Sequence, residues 1–358
     1  MSAISPMSGV LSPAAATDVS RRVDKALDVL QARATRHDPA LARLTGAATR
    51  AAHGGKRFRP ALLYAAFEAW NGDPAHRDGV ADLAAAVELL HTAFVIHDDV
   101  IDHDTTRRGR PNVAGEFIAH GRRAGVGPAQ AAELGVAAGV LGGDLLLHEA
   151  SRLVALAPLP AGLRRGILDL FDEAVLVSTA GELSDVEHTL GTAATVAGEL
   201  LRTAHDKTAA YSFTLPLCAG AMLAGADADE VVALRACGSD LGLAFQLVDD
   251  LIGAFGTPAQ AGRDAGADLR EGKRTPLVAL AIAGPDAERV EGTLALARTG
   301  PVGVRVAQRA LERSGARTTL VAMATDALER ARGAAAVLPA QARELVARVA
   351  DDVERRIP

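Results

Sequence analysis

Apolar residues recur along most of the chain at the three- and four-residue spacing of helices that face a core. Val19, Val23, Ala26, Leu27 and Leu30 mark the first such stretch. They predict a helix over 18–36, capped by Thr17 or Asp18. Pro60 opens the next, which Asn71-Gly72-Asp73-Pro74 stops near Trp70. A long apolar helix is predicted from Val80 to His103, with Glu88 and His91 at helical offsets inside it. Pro111 begins a short segment. Gly125 to Pro128 breaks the pattern before a long helix ending near Leu156, and Pro158-Leu159-Pro160 reads as a loop. Further helices are predicted over 163–188, 195–224, 227–255 and 275–283, with two or three more after them. No run alternates with period two, no repeat is evident and no composition shift marks a linker. The pattern is that of one all-α domain over 18–358, preceded by a disordered tail at 1–17. Residues 256–274 form the longest polar, Gly-rich stretch, a candidate lid.

The chemistry gathers at the end of the helix over 80–103. Asp98, Asp99, Asp102 and Asp104 are followed at once by Arg107, Arg108 and Arg110. Acids at a helix C-terminus oppose its dipole, and carboxylates at the mouth of a buried helix repel one another. The placement makes sense if a cation sits among them. Asp98 and Asp102 are i and i+4, on one face and about 6 Å apart. Oxygen ligands without Cys or a His set suit Mg²⁺, which usually bridges carboxylates to substrate phosphates. The arginines are the fork-shaped donors that phosphate prefers. The alternative is a solvated acidic helix end beside a basic loop. A second pair, Asp249-Asp250, also ends an apolar helix, with Gln246 three and four positions before it on the same face. Two such helices facing each other would place carboxylates on both sides of one diphosphate. Lys56 and Arg59 flank the start of another helix, where the dipole already attracts anions.

Together these motifs resemble those of the trans-isoprenyl diphosphate synthase (polyprenyl synthetase) family. Gly54-Gly55-Lys56-Arg57-Phe58-Arg59-Pro60, Asp98-Asp99-Val100-Ile101-Asp102 with Arg107-Arg108-Gly109, and Phe245-Gln246-Leu247-Val248-Asp249-Asp250 stand in the family's order. The stretch Gly262 to Pro276 fits as well, and the detail resembles actinobacterial short-chain synthases. The resemblance implies an all-α helical bundle around a central cavity, of isoprenoid synthase type. It implies a Mg²⁺-dependent prenyltransferase that condenses isopentenyl diphosphate with an allylic diphosphate, with three ions when substrate is bound. By resemblance, Lys56, Arg59, His91 and Arg108 hold the isopentenyl diphosphate. Arg107, Lys207, Thr208, Gln246 and Lys273 hold the allylic diphosphate. Asp98, Asp102 and Asp249 carry metal. Thr208 and Gln246 steady the allylic cation, and Asp98, Asp102 and Lys207 serve ionisation. Relatives are mostly homodimers. Glu182 and Asp185 stand where the family often has Gln and Asp, and no role is assigned to them. One departure is Gly253, where many relatives carry a third Asp of the second motif.

Chain length follows from helix geometry and resemblance. Phe94 is four residues before Asp98, about 6 Å along the axis and on nearly the same face. Large side chains there form a floor in related enzymes. Ala93, often aromatic in relatives that stop at farnesyl or geranylgeranyl, is small here. No insertion interrupts Asp98 to Asp102, as it does in many bacterial farnesyl diphosphate synthases. Geranylgeranyl diphosphate is therefore favoured over farnesyl diphosphate.

Composition narrows the classes. The 358 residues are 49% hydrophobic and 3% aromatic, which favours packed helices over a β sandwich. A net charge of −6 argues against a nucleic-acid partner. Cys218 and Cys237 lie in apolar stretches and read as buried thiols of a reducing, cytoplasmic compartment. No integral membrane segment is expected, because Glu133 and Asp144 interrupt the apolar run Ala131 to Leu147. Met1 to Thr17 lacks early Lys or Arg and a sustained apolar core, so it does not read as a signal peptide. Two other classes are weighed. A class I terpene cyclase needs a Ser or Thr and a Glu downstream of Asp249, where this chain has Gly253 and Thr257. A non-catalytic partner subunit of a heteromeric synthase usually loses the aspartates that this chain keeps.

Overall fold

The structure, a computed structural model, describes residues 13–55, 57–191, 196–261 and 264–358. Residues 1–12, most of the expected tail, lie outside the described residues. The helices group into two compact units, one of Gly9–Phe67 and Gly72–Asp169, the other of Leu170–Pro358 with Glu68–Asn71. The division falls inside one continuous helix, Ala161–Leu190, so no shift in composition announces it.

The first unit contains α1 (Pro13–His37), α2 (Pro39–Ala52), nearly all of α3 (Phe58–Ala69), α4 (Arg77–Ile101), α5 (Val113–Arg123), α6 (Pro128–Leu156) and the start of α7 (Ala161–Leu190). Helix α1 begins at Pro13, so residues 13–17 are helical rather than tail, and Asp18 lies inside the helix. Helix α2 was not foreseen, although its start is plain. The Asp38 carboxylate accepts from Ala40 N at 2.6 Å and Leu41 N at 3.1 Å, and Pro39 needs no donor there. The expected all-α fold is what the chain adopts, with one small antiparallel hairpin between α4 and α5, β1 (Thr106–Arg107) and β2 (Arg110–Pro111), among the described residues. Strands of two residues are too short to alternate visibly. Leu27, Leu62, Leu63, Leu83, Leu89, Leu90 and Ile96 are fully buried, each contributing about 1.5–3 kcal/mol of apolar burial. Helix α6 meets α4 through glycines. A Cβ on Gly139 would lie 2.2 Å from Val100 Cγ2, and one on Gly143 2.2 Å from His97 Nε2. That close approach seats the acidic end of α4 against α6.

The second unit contains the rest of α7, α8 (Ala197–Ala209), a π turn (Ala210–Thr214), α9 (Leu215–Leu223), α10 (Ala228–Phe255), α11 (Pro258–Ala261), α12 (Ala267–Glu271), α13 (Pro276–Ile282), α14 (Ala287–Ala297), α15 (Pro301–Arg313), α16 (Ala316–Ala334) and α17 (Ala340–Glu354). The expected helix over 195–224 is thus interrupted by a π turn, a feature frequent at functional sites. The stretch 256–274, read as a loop, carries α11 and α12 among its described residues. Four helices, not two or three, follow α13 among the described residues. Helix α10 starts with a capping box between Asp227 and Glu230. It closes on α8 through Gly242, whose Cβ would lie 2.3 Å from Ala209 Cα. Cys218 and Cys237 are free and buried, and burial pushes both thiols up to about 12.

Three helices, Pro74–Ile101, Pro128–Leu156 and Ala228–Phe255, are long and apolar enough to cross a membrane by length and composition. By composition alone, Glu133 and Asp144 do not end the apolar character of Pro128–Leu156, whose best window has a mean hydropathy of 1.3. In Pro74–Ile101, 78% of the most apolar window is packed inside the protein.

Candidate active site

In the first unit the acidic run is built on the last turn of α4. Asp98 and Asp99 are helical, and Asp102 N donates to Asp98 O at 2.8 Å, so the i, i+4 relation of Asp98 and Asp102 is kept. The hairpin turns at Arg108 (φ 54) and Gly109 (φ 73), left-handed positions that suit a two-residue turn. It returns Arg107 to the helix end, where Nε donates to Asp99 Oδ1 at 2.6 Å and Nη2 to Asp98 Oδ2 at 3.1 Å. Asp99 is 3% exposed. Burial raises its carboxyl above the usual range, and the Arg107 guanidinium opposes that rise. Asp99 is thus the anchor of Arg107, a role the sequence reading did not assign.

Upstream on the same helix lies a basic cluster. Glu88, 4% exposed, pairs with Arg57 Nη1 at 3.5 Å. Burial raises its carboxyl, while Arg57, Arg59 and Arg108 pull it back down. Gly55 lets the loop pass close by, since a Cβ there would meet Glu88 Oε1 at 3.1 Å and Arg108 Nη2 at 3.9 Å. His91, one turn after Glu88, is half-buried and held well below its usual value by burial and by Arg59, Arg108 and Arg107, so it is neutral near pH 7. Three guanidiniums against one carboxylate leave positive charge over, and Arg57 Nη1 is buried without a hydrogen bond. The structure therefore brings together Arg59, His91 and Arg108 and adds Arg57 and Glu88. Lys56 lies outside the described residues. Ala93 is fully buried and Phe94 half-buried on the same helix.

In the second unit Lys207 Nζ donates to Glu182 Oε1 at 3.0 Å and Asp185 Oδ2 at 2.9 Å. The approach of α7 to α8 depends on Gly181, whose Cβ would fall 2.3 Å from Lys207 N. Glu182 and Asp185, left without a role by the sequence, thus place Lys207. Thr208 Oγ1 donates to Gln246 Oε1 at 2.6 Å, and Gln246 Nε2 donates to Asp250 Oδ1 at 3.0 Å. Asp250 is 8% exposed and its Oδ2 is buried without a hydrogen bond. Burial, then Asp268, push its carboxyl well above the usual range, and the hydrogen bond from Gln246 opposes them. Asp249 pairs with Arg356, whose guanidinium lies 4.4 Å from the Phe245 ring centroid. At Gly253 a Cβ would lie 1.6 Å from Asp268 Oδ2, so a carboxylate from α12 fills the place of the Asp that this motif lacks. Lys273 follows α12 and approaches Glu271 at 3.8 Å.

Each acidic group offers hard oxygen donors only, and the orphaned Asp250 oxygen marks where positive charge is wanted, so the donor chemistry fits Mg²⁺. Among the described residues no three His, Cys, Asp or Glu side chains close into a ready-made cage. These carboxylates would hold an ion together with outside oxygens, such as those of a diphosphate.

Comparison with known proteins agrees with this chemistry. A geranylgeranyl diphosphate synthase of Mycobacterium tuberculosis is 38% identical over 244 residues, 64% of this chain. The match spans only 60% of that protein's own length. A short chain isoprenyl diphosphate synthase of Methanothermobacter thermautotrophicus is 32% identical over 85% of this chain and 87% of its own. A crystal structure of the Corynebacterium glutamicum geranylgeranyl pyrophosphate synthase, complexed with isoprenyl diphosphate and magnesium, superposes with a TM-score of 0.84 at 28% identity, covering 94% of this chain and 97% of that one. Residues 42–311 match the family described as polyprenyl synthetase, and with this fold and these motifs the chain belongs to that family.

Proposed function

We propose that the chain forms one Mg²⁺-dependent trans-prenyltransferase domain, with helix α1 from Pro13 as part of it. It condenses isopentenyl diphosphate head-to-tail with an allylic diphosphate, and its product is geranylgeranyl diphosphate. The observation that carries this reading is the cluster of Arg57, Arg59 and Arg108 around Glu88 and a neutral His91, beside Arg107 fixed on Asp98 and Asp99. It is an anion site separate from the acidic motif, which a two-substrate enzyme needs and a cyclase does not.

Arg59, Arg108 and Lys56 bind the isopentenyl diphosphate, with the neutral His91 donating one hydrogen bond. Glu88 keeps the guanidiniums from repelling one another before substrate arrives. Arg107, oriented by Asp99, keeps donors free for the allylic diphosphate, and Lys207 and Lys273 act with it. Asp98, Asp102 and Asp249 would hold magnesium, which would supply positive charge for the leaving diphosphate. As the allylic C1–O bond breaks, the isopentenyl double bond attacks C1, forming the new C–C bond. The attack leaves a cation at C3 of the isopentenyl unit, and loss of a proton from its C2 to the released diphosphate restores a double bond. Thr208 Oγ1, held by Gln246, turns lone-pair density toward the cation. Ala93 is small and fully buried beside Phe94, and by resemblance the lack of an aromatic side chain there favours a chain longer than farnesyl. A homodimer in the cytoplasm is the working form by family likeness, and α6 exposes Val136, Val140 and Leu141 on one side.

The test supplies isopentenyl diphosphate, farnesyl diphosphate and Mg²⁺ and reads the product by mass. A farnesyl chain extended by one isoprene unit supports the proposal. A hydrocarbon would point to a cyclase, and no product to a non-catalytic subunit; either overturns it.

A further inference from the structure

The second acidic helix holds more negative charge than its own sequence suggests. Asp249 and Asp250 end α10, and the Asp268 carboxylate packs against Gly253 one turn beyond Asp249. Asp250 and Asp268 are 8% and 7% exposed. Buried carboxylates this close repel one another unless a cation is near.

The protein brings one of its own. Arg356 follows α17, is 17% exposed at its side chain, and pairs with Asp249 from 107 residues away. It is held firmly. Its guanidinium stacks over Phe245, one turn before Asp249. Two residues on, Pro358 O accepts from Arg317 Nη2 at 2.6 Å, and Arg317 lies 4.8 Å over the Phe255 ring. The segment 355–358 is thus pinned beside both Phe245 and Phe255 of α10. Yet Arg356 Nη1 is buried without a hydrogen bond, as is Asp250 Oδ2. Two buried polar atoms left unsatisfied, one on the partner of Asp249 and one on the next residue of α10, mark an arrangement adapted to a different occupant.

We propose that Arg356 is an internal placeholder for the divalent ion. In the metal-free protein its guanidinium neutralises Asp249, and metal binding displaces it from that carboxylate. This rests on the reading of Asp249 as a metal ligand. Arg356 acts as a positioning residue: it keeps the second acidic motif folded and oriented while no ion is present, and it makes ion binding there a competition.

The test measures Mn²⁺ affinity by electron paramagnetic resonance on the full chain without diphosphate, so it does not depend on turnover. Arg356→Gln should bind Mn²⁺ at least threefold more tightly than the unaltered protein, and Arg356→Lys should stay within twofold of it. An equal or weaker affinity in Arg356→Gln overturns the proposal. Hydrogen exchange on the unaltered protein gives a second, variant-free reading. Saturating Mn²⁺ should speed exchange in residues 355–358, and unchanged or slower exchange there also overturns it. A chain that binds Mn²⁺ in this way but makes no prenyl product would refute the proposed activity and leave this inference standing.

Discussion

Arg107→Met tests how the acidic end of α4 is assembled. Arg107 spans two carboxylates, Asp99 at 2.6 Å and Asp98 at 3.1 Å. Asp99 is 3% exposed, so removing its partner leaves a buried charge uncompensated. Breaking a fully buried pair costs about 3–5 kcal/mol. Arg107 itself is 38% exposed, and water screens the pair, which lowers the expectation to about 1–3 kcal/mol. The loss depends on pH with a definite sign. Burial raises the folded-state carboxyl of Asp99 above its unfolded value, and Arg107 restrains that rise. Without Arg107 it climbs further. A carboxyl raised in the folded state costs nothing below its unfolded value, where both states are protonated, and its penalty grows as pH rises through the folded value. Urea unfolding followed by circular dichroism should therefore show the full deficit near about pH 7 and little of it near about pH 4. The double variant Asp99→Asn/Arg107→Met should recover much of the loss at neutral pH. An equal deficit at both pH values, or a double variant as unstable as the single one, would refute the assembly argued here.

Asp102→Ala is expected to lower turnover by about 10²–10³, the usual cost of one electrostatic stabiliser, with an unchanged circular dichroism spectrum; a rate at limiting Mg²⁺ equal to that of the unaltered protein would remove Asp102 from the metal site. Arg59→Ala should raise KM for isopentenyl diphosphate by about tenfold, corresponding to about 1.4 kcal/mol, with little change in the allylic KM. Steady-state kinetics with each substrate varied in turn checks this, and equal changes for both would undo the division into two anion sites. Phe94→Ala should lengthen the main product by at least one isoprene unit and Ala93→Phe should shorten it, as read by mass spectrometry. Unchanged products in both would show that the floor lies elsewhere.

Much of this protein is written in local patterns. The helical period, the Asp38-Pro39 and Asp227–Glu230 starts, and the i, i+4 pair Asp98 and Asp102 each depend on residues within a turn or two, so the linear chain displays them. The cations that the motifs single out are equally visible, and the structure gathers Arg59, His91 and Arg108 around Glu88. The hairpin at 106–111 escaped notice because two-residue strands carry no period. The partners that set each side chain's charge and direction escaped for a different reason. Glu182 and Asp185 reach Lys207 across 25 and 22 residues, and Arg356 reaches Asp249 across 107. Nothing in a helical pattern correlates positions that far apart. Gly253 is the clearest case. In sequence it is a missing acid, and in space it is the gap that admits the Asp268 carboxylate from another helix. The chain by itself therefore determined the long apolar helices and the kinds of group their motifs offer. Tertiary packing alone decided which charges neutralise one another, because charge interactions depend on distance through space and on burial, and neither is encoded by spacing along a helix.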